Sequence, residues 1–152
     1  MPLSNGCNHV TVVTEDIDRL IAFYSSHFDA EVKFDLEEAG LRHALVDLGG
    51  GFCLHPFQLE KENPHAEAVP EMFARGHIDH FAIGFDDAGS FEEARRRLVE
   101  AGASGGRVRD FGAVQVMSFV DPDGMECELA LRKDAPPLSM QESKVEEYTS
   151  AG

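Results

Sequence analysis

Hydrophobic and polar positions in the first part of the chain switch between two periods. Residues 7–14 alternate as a β-strand does, and most of them are β-branched. From Ile17 to Phe28 the apolar side chains instead recur at helical spacing, with Asp16 in the N-cap position. Three further strand patterns follow, at residues 31–36, 41–48 and 52–57. The order predicted for this part of the chain is therefore β-α-β-β-β.

The same order returns after a polar stretch without period. A strand pattern covers residues 77–85, and an S-x-x-E capping box at 90–93 opens a helix that Gly102 is placed to end. Three more strand patterns cover residues 107–111, 114–120 and 125–131. We therefore predict a first βαβββ module, a connector, a second βαβββ module and a mobile tail. These segments are residues 1–57, 58–76, 77–133 and 134–152.

The two modules are related by an internal repeat. Asn8-His9-Val10 matches Asp79-His80-Phe81 at an offset of 71 (80 − 9), near the start of each module. The segment that ends at His55 matches the segment that ends at Glu128 at an offset of 73 (128 − 55). Two offsets this close indicate duplication. The repeat therefore pairs His9 with His80, and His55 with Glu128.

The repeat places these four polar side chains on strands. His80 shares its strand face with the small residues Ala82 and Gly84, whereas the opposite face carries bulky apolar side chains. If each module curls its sheet and the two modules pair, the four side chains converge on one cavity. Imidazoles and a carboxylate are good ligands for a divalent transition metal. We therefore predict a metal site formed by His9, His55, His80 and Glu128.

These features resemble the vicinal oxygen chelate superfamily. They are the β-α-β-β-β repeat, the strand-borne His9 and His80, and the DPDG turn at residues 121–124 that precedes Glu128. That superfamily includes glyoxalase I, methylmalonyl-CoA epimerase, extradiol dioxygenases, and the fosfomycin and bleomycin resistance proteins. The resemblance covers about residues 6–132. The predicted fold is α+β, with two tandem βαβββ modules forming a curved eight-stranded sheet around a cavity.

The resemblance also implies roles for individual residues. Positions that match His9, His80 and Glu128 are metal ligands in the superfamily. The position that matches His55 is a fourth ligand in glyoxalase-like and epimerase-like members, where it is usually Glu or Gln. The histidine here is a departure from that pattern, and it leaves both the substrate and the metal (Zn, Ni, Mn, Co or Fe) open.

The leading functional interpretation is a metal-dependent lyase or isomerase of the glyoxalase type. A metal that holds two neighbouring oxygens of a small substrate stabilises an enediolate-like anion. Glu128 or His55 would then be the catalytic residue that takes the proton from the adjacent carbon. The substrate itself is not indicated by any motif.

Two alternatives remain open. In an extradiol-type dioxygenase, His9, His80 and Glu128 would form a two-histidine, one-carboxylate triad for iron(II). A fourth ligand at His55 would occupy a position that substrate or oxygen needs, which favours proton transfer. The third interpretation is a protein that binds a drug or metabolite without chemistry, as bleomycin resistance proteins do. Such binders usually lack the metal residues.

Composition and charge limit the classes of molecule that the protein is expected to bind. The net charge of −15 disfavours nucleic acid and anionic membrane surfaces, because phosphates need a basic patch. No apolar run approaches the roughly 20 residues that span a bilayer, and residues 1–10 lack the features of a signal peptide. The 3 cysteines show no disulfide or zinc spacing, so a cytoplasmic location is expected. We expect a small-molecule substrate and a homodimer.

The other histidines have no counterpart in the repeat. His27, His43 and His65 are predicted to be ordinary surface or connector residues. His77 lies three residues before His80 and therefore on the opposite strand face, where a surface or loop role is expected.

Overall fold

A computed structural model of the chain describes residues 8–38, 40–59, 78 and 80–149. The chain divides into two compact units, Met1–Val69 and Pro70–Gly152. The connector prediction for 60–76, together with His65, His77 and Cys7, falls outside the described residues. Gln58 and Leu59, which were predicted to begin the connector, instead complete a strand.

The first unit is a four-stranded sheet covered on one face by a helix. Its elements are β1 (His9–Val13), α1 (Ile17–Phe28), β2 (Glu31–Glu38), β3 (Leu41–Asp47) and β4 (Cys53–Leu59). The strand order is β1-β4-β3-β2, with β1 parallel to β4 and the other pairs antiparallel. Helix α1 packs on β3 and β4. The opposite face of this sheet is the one that carries His55.

Helix α1 is capped at its two ends by Asp16 and Asp29. The Asp16 carboxylate accepts a hydrogen bond from the Arg19 amide at 3.0 Å and so satisfies one of the unpaired donors of the first turn. At the other end Asp29 adopts a left-handed conformation, with φ of 54°. The apolar stripe of the helix then lies against the sheet, and Ile17, Leu20 and Tyr24 are buried there.

The second unit repeats this arrangement. Its elements are β5 (Phe81–Phe85), α2 (Ala88–Glu100), β6 (Val108–Asp110), β7 (Val114–Val120), β8 (Glu126–Arg132) and β9 (Lys144–Glu146). The strand order is β5-β8-β7-β6-β9, again with the first strand parallel to the strand that ends the module. The predicted α+β class and the two βαβββ modules are confirmed. The joining of the two sheets around a cavity stays a prediction.

Helix α2 begins earlier than the capping box indicates. Asp87 is the N-cap, and its carboxylate accepts from the Ser90 amide at 2.8 Å. Ser90 therefore lies inside the first turn, and the predicted cap at that residue is wrong. Glu93 pairs with Arg96 and Arg97 instead of closing a capping box.

The segment after residue 133 also differs from the prediction of a mobile tail. Its residues Lys144–Glu146 form β9, which pairs antiparallel with β6 at the edge of the second sheet. The guanidinium of Arg95, buried on α2, donates to Glu146 at 2.7 Å and lies over the Tyr148 ring at 5.3 Å. The strand Lys-Val-Glu is too short to establish a period and all three of its residues are exposed, so the sequence pattern did not reveal it.

No helix among the described residues has the length and apolar character that crossing a bilayer requires.

Candidate functional site

The first unit brings His9 and His55 together on neighbouring strands. Strands β1 and β4 are parallel, with Thr11 opposite His55, so His9 lies one diagonal step from His55. The centroids of the two imidazole rings are 5.5 Å apart, and the rings meet edge to face at 75°. His9 is exposed and contacts the Asn8 side chain through Nδ1 at 2.8 Å, whereas His55 is half-buried. The two predicted ligands of this module are therefore neighbours.

The second unit places His80 and Glu128 in the same relation. Ala82 lies opposite Glu128 in the parallel β5–β8 pair, and His80 comes two residues earlier. The Nε2 atom of His80 lies 3.7 Å from a carboxylate oxygen of Glu128. Ala82 and Gly84, on the same face, are exposed, and the methyl group of Ala82 and the absence of a side chain at Gly84 leave this part of the face open.

The register shows why the two pairs correspond. Thr11 is paired with His55 in one sheet, as Ala82 is paired with Glu128 in the other. In both units the strand residues on either side of the second predicted ligand, His55 or Glu128, are buried toward the helix, and that side chain itself is half-buried on the other face. The duplication detected in the sequence therefore delivers two side chains to equivalent positions of each sheet.

The sequence prediction missed one residue that contacts the predicted ligand His55. His43, on β3, was predicted to be an ordinary surface residue, but it is half-buried and its Nδ1 atom lies 3.0 Å from Nε2 of His55. The alternation of residues along β3 could have indicated its position. Ala44 and Val46 are buried on the helix side, so His43 lies on the other face. Because the repeat has no matching polar residue there, the comparison of halves gave no reason to select it.

Aromatic side chains surround the histidines of the first unit. The ring of Phe57 lies 4.6 Å from that of His55 at 90°, and the ring of Phe34 lies 5.7 Å away, also at 90°. Both phenylalanines also contact His43. This face of the first sheet is therefore an aromatic wall formed by Phe34, His43, His55 and Phe57.

The surroundings of His55 favour its neutral form. Burial, followed by the nearby imidazoles of His43 and His9, lowers the pKa of His55 below its usual value. A neutral imidazole is the form that binds a metal or accepts a proton. His55 is therefore prepared for either role near neutral pH.

The donor set in each unit suits a transition metal. One unit offers two imidazoles, and the other offers an imidazole and a carboxylate, which are the ligand types preferred by Zn, Fe, Ni, Co and Mn ions. Over residues 8–38, 40–59, 78 and 80–149 the structure contains no group of three or more His, Cys, Asp or Glu side chains arranged to hold one ion. Each unit by itself therefore supplies a pair of donors.

Comparisons with known proteins agree with this architecture. A sequence model described as the Glyoxalase/Bleomycin resistance protein/Dioxygenase superfamily matches residues 6–129. That range contains all four predicted ligands. Among curated proteins, none matches the chain.

Several solved structures share the fold. A glyoxylase/bleomycin resistance protein/dioxygenase domain from Frankia sp. EAN1pec has 18% identity and a TM-score of 0.71, over 86% of this chain and 94% of that chain. Lactoylglutathione lyase from Agrobacterium tumefaciens has 20% identity and a TM-score of 0.60, over 84% of this chain and 94% of that chain.

A third structure contains a metal. It is a mutant of the fosfomycin resistance protein FosX from Listeria monocytogenes, complexed with Mn(II) and 1S,2S-dihydroxypropylphosphonic acid. Its identity to this chain is 16% and its TM-score is 0.58, over 86% of this chain and 94% of that chain. At such identities the three likenesses show the fold.

Proposed function

Because the chain belongs to the Glyoxalase/Bleomycin resistance protein/Dioxygenase superfamily, we propose that it is a divalent-metal-dependent enzyme of the glyoxalase type. It would be a lyase or isomerase that acts on a small substrate with vicinal oxygens. The observation that carries the proposal is the equivalent placement of His9 with His55 and of His80 with Glu128 on two duplicated sheets. His9 and His80 are exposed, whereas His55 and Glu128 are half-buried between buried neighbours on their strands.

His9, His55, His80 and Glu128 would hold the metal. The set combines three imidazoles with one carboxylate, a mixture that suits Zn, Ni, Co, Mn or Fe ions. Mn(II) in the FosX complex is a precedent for a divalent metal on this fold. When bound, the ion would supply Lewis-acid stabilisation of negative charge on two neighbouring substrate oxygens.

The protein's own residues would provide the proton transfer. A general base must lie within hydrogen-bond reach of the substrate carbon and be unprotonated at the working pH. Glu128 and His55 are the candidates, each as ligand or base by turns, so the one that takes the proton would leave the metal for that step. The pKa of His55 is lowered by burial and by its histidine neighbours, which favours the unprotonated form that a base requires. Phe34 and Phe57 pack against His55 and would limit the access of water to that side of the substrate.

A second candidate function is extradiol-type oxygen-dependent ring cleavage. The contact with His43 engages Nε2 of His55, so this function requires that Nδ1, the remaining nitrogen of the ring, also stays off the metal. If His55 stays off the metal, His9, His80 and Glu128 remain as a two-histidine, one-carboxylate triad. Such a triad leaves coordination positions open for substrate and oxygen.

Metal analysis of the purified 152-residue chain tests the proposal. We expect stoichiometric divalent metal in the protein prepared without chelators, and loss of that metal in His80→Ala and in Glu128→Gln. The matched controls are His27→Ala, which removes an imidazole bonded to the Phe23 carbonyl of α1, and Glu126→Gln, which changes a carboxylate on the same face of β8. Both controls should keep the metal.

The outcomes separate the alternatives. Metal that is retained in His80→Ala would show that the ligand set is wrong. Iron together with oxygen consumption on a catechol would favour ring cleavage over proton transfer. An intact, folded protein that binds no metal would point to the non-catalytic drug or metabolite binder.

We also propose that the protein acts as a cytoplasmic homodimer on a small molecule. Cys53 and Cys127 are both free thiols, as a reducing compartment favours. The net charge of −15 supports a small-molecule partner over nucleic acid or an anionic membrane. Sedimentation of the purified chain would measure the oligomeric state directly.

A further inference from the structure

The contact between His43 and His55 joins two adjacent strands across the aromatic wall. In the antiparallel β3–β4 pair, His43 lies opposite Phe57, so His55 is its diagonal neighbour on the same face. The Nδ1 atom of His43 and the Nε2 atom of His55 are 3.0 Å apart, which is a hydrogen-bond distance. One of the two nitrogens must donate and the other must accept.

Neighbouring rings restrict both imidazoles. Phe57 and Phe34 each meet His55 at 90°, and the same two side chains pack against His43 at 5.6 and 5.4 Å. A flip of the His55 ring about its Cβ–Cγ bond would place a carbon where Nε2 now lies, and it would therefore break the contact with His43 within this packed group. The arrangement therefore favours one orientation of the His55 ring.

We propose that His43 is a positioning residue that holds His55 by Nε2, so that His55 binds the metal through Nδ1. This inference rests on the proposed function, because it specifies how one of the four ligands meets the ion. The nitrogen of a histidine that is committed to a hydrogen bond determines which nitrogen is offered to a metal. His55 would then be a metal ligand whose other ring nitrogen is held in a hydrogen bond by the imidazole of His43.

Two substitutions at residue 43 separate the hydrogen bond from simple packing. His43→Phe keeps an aromatic ring against Phe34 and Phe57 but removes the nitrogen. His43→Asn removes the ring but places an amide near the position of Nδ1, where it can still bond to His55. A purely structural role would make the asparagine variant the more damaged of the two. A positioning role would make it the better substitute.

The first measurement uses the metal-free 152-residue chain. Long-range proton–nitrogen correlation spectra report which nitrogen of His55 carries the proton. We expect the Nε2–H tautomer of His55 in the wild type and in His43→Asn, because Nδ1 must keep its lone pair for the metal, and an altered or mixed tautomer in His43→Phe. The Nδ1–H tautomer in the wild type would overturn the proposal. His27→Phe lies on α1, which covers the face of the sheet opposite His55, so it is the control and should leave the His55 signals unchanged. Unchanged signals in His43→Phe would overturn the proposal.

The second measurement adds Zn(II) to the same samples. We expect the wild-type His55 spectrum to shift at Nδ1, with Nε2 still bonded to His43, and the affinity for Zn(II) to fall about 10- to 100-fold in His43→Phe. A shift at Nε2 would overturn the inference. So would a silent His55 beside responding His9 and His80, which would favour the three-ligand triad.

The two arms distinguish this inference from the proposed function. If none of the four side chains responds to Zn(II), the proposed metal site fails, and with it the assignment of His55 as a ligand. The tautomer measurement needs no metal and still decides whether His43 holds His55 by Nε2.

Discussion

At the scale of single residues, the two units place chemically different side chains at the same pair of diagonal positions on neighbouring strands. The first unit pairs two imidazoles, and the second pairs an imidazole with a carboxylate. Glu128 is thus the only anionic member of the proposed set, and its charge would complement a divalent ion. His55, at the matching position, brings a neutral ring whose pKa is lowered mainly by burial. Divergence at one position of a duplicated strand is therefore enough to make the two halves chemically unequal.

The clearest pH effect at this scale belongs to Glu93 on α2. Hydrogen bonds from Arg96 and Arg97 lower the pKa of Glu93 from 4.5 to about 2. Because the folded-state pKa lies below the unfolded value, the ion pairs stabilise the fold above about pH 4.5, and this stabilisation is lost as the pH falls through about 2. Glu93→Gln should therefore unfold more easily than the wild type at pH 7.

The difference in the free energy of unfolding between Glu93→Gln and the wild type should shrink as the pH approaches 2. Urea unfolding at several pH values measures it. The side chains are exposed, so salt should weaken the effect. A difference that grows on acidification would contradict the assignment.

At the scale of elements, the turn before β8 determines where Glu128 lies. Asp121 is buried, and its carboxylate accepts hydrogen bonds from the amides of Asp123 at 2.9 Å and Met125 at 3.0 Å. The Asp121 amide donates to the Met125 carbonyl, so the turn closes on itself. This turn sets the β7–β8 register in which Ser118 lies opposite Glu128.

Removal of the Asp121 carboxylate should weaken the whole second unit. Asp121→Ala leaves two amide donors without their acceptor, which costs about 1–3 kcal/mol for buried groups. Asp121→Asn keeps an acceptor oxygen, so its free energy of unfolding should fall less than that of Asp121→Ala. Urea denaturation measures both variants, and equal stability of Asp121→Ala and the wild type would show that water replaces the carboxylate without loss.

At the scale of the whole chain, the second unit is larger than the duplicated module because its C-terminal segment packs onto it. Beside Gly106, Tyr148 comes so close that a Cβ on the glycine would lie 2.7 Å from the Tyr148 Cβ and 2.6 Å from a Val99 methyl group. Arg95 donates to the Gly106 carbonyl at 2.8 Å and to Glu146, so it ties α2 to β9. The segment is therefore part of the fold.

A pair of glycine substitutions measures this packing. Gly106 and Gly102 have nearly the same φ, +74° and +71°, but a Cβ on Gly102 would have no neighbour within 4 Å. Gly102→Ala should cost only the left-handed backbone penalty of about 1–2 kcal/mol. Gly106→Ala should cost about 1–3 kcal/mol more, because it also overpacks the contact with Val99 and Tyr148.

The gap between the two glycine variants should narrow when residues 144–152 are deleted, since Tyr148 is then removed while Val99 remains. Thermal or urea unfolding of the four proteins provides the comparison. Equal losses in Gly106→Ala and Gly102→Ala would show that the C-terminal segment does not pack there.

The sequence by itself determined the two βαβββ modules and the equivalence of His9 with His80 and of His55 with Glu128. These features depend on period, turn chemistry and repetition, which local residues express directly. The start of α2 was displaced to Asp87, because several polar residues near a helix start compete for the same amides.

Only the tertiary structure decided that His43 meets His55 and that Lys144–Glu146 joins the sheet. Both contacts join residues that are not sequence neighbours, and they depend on strand register and side-chain packing. A local pattern shows which face a side chain occupies, but it does not show which distant partner lies beside it, because that is settled by the free energy of packing over the whole unit.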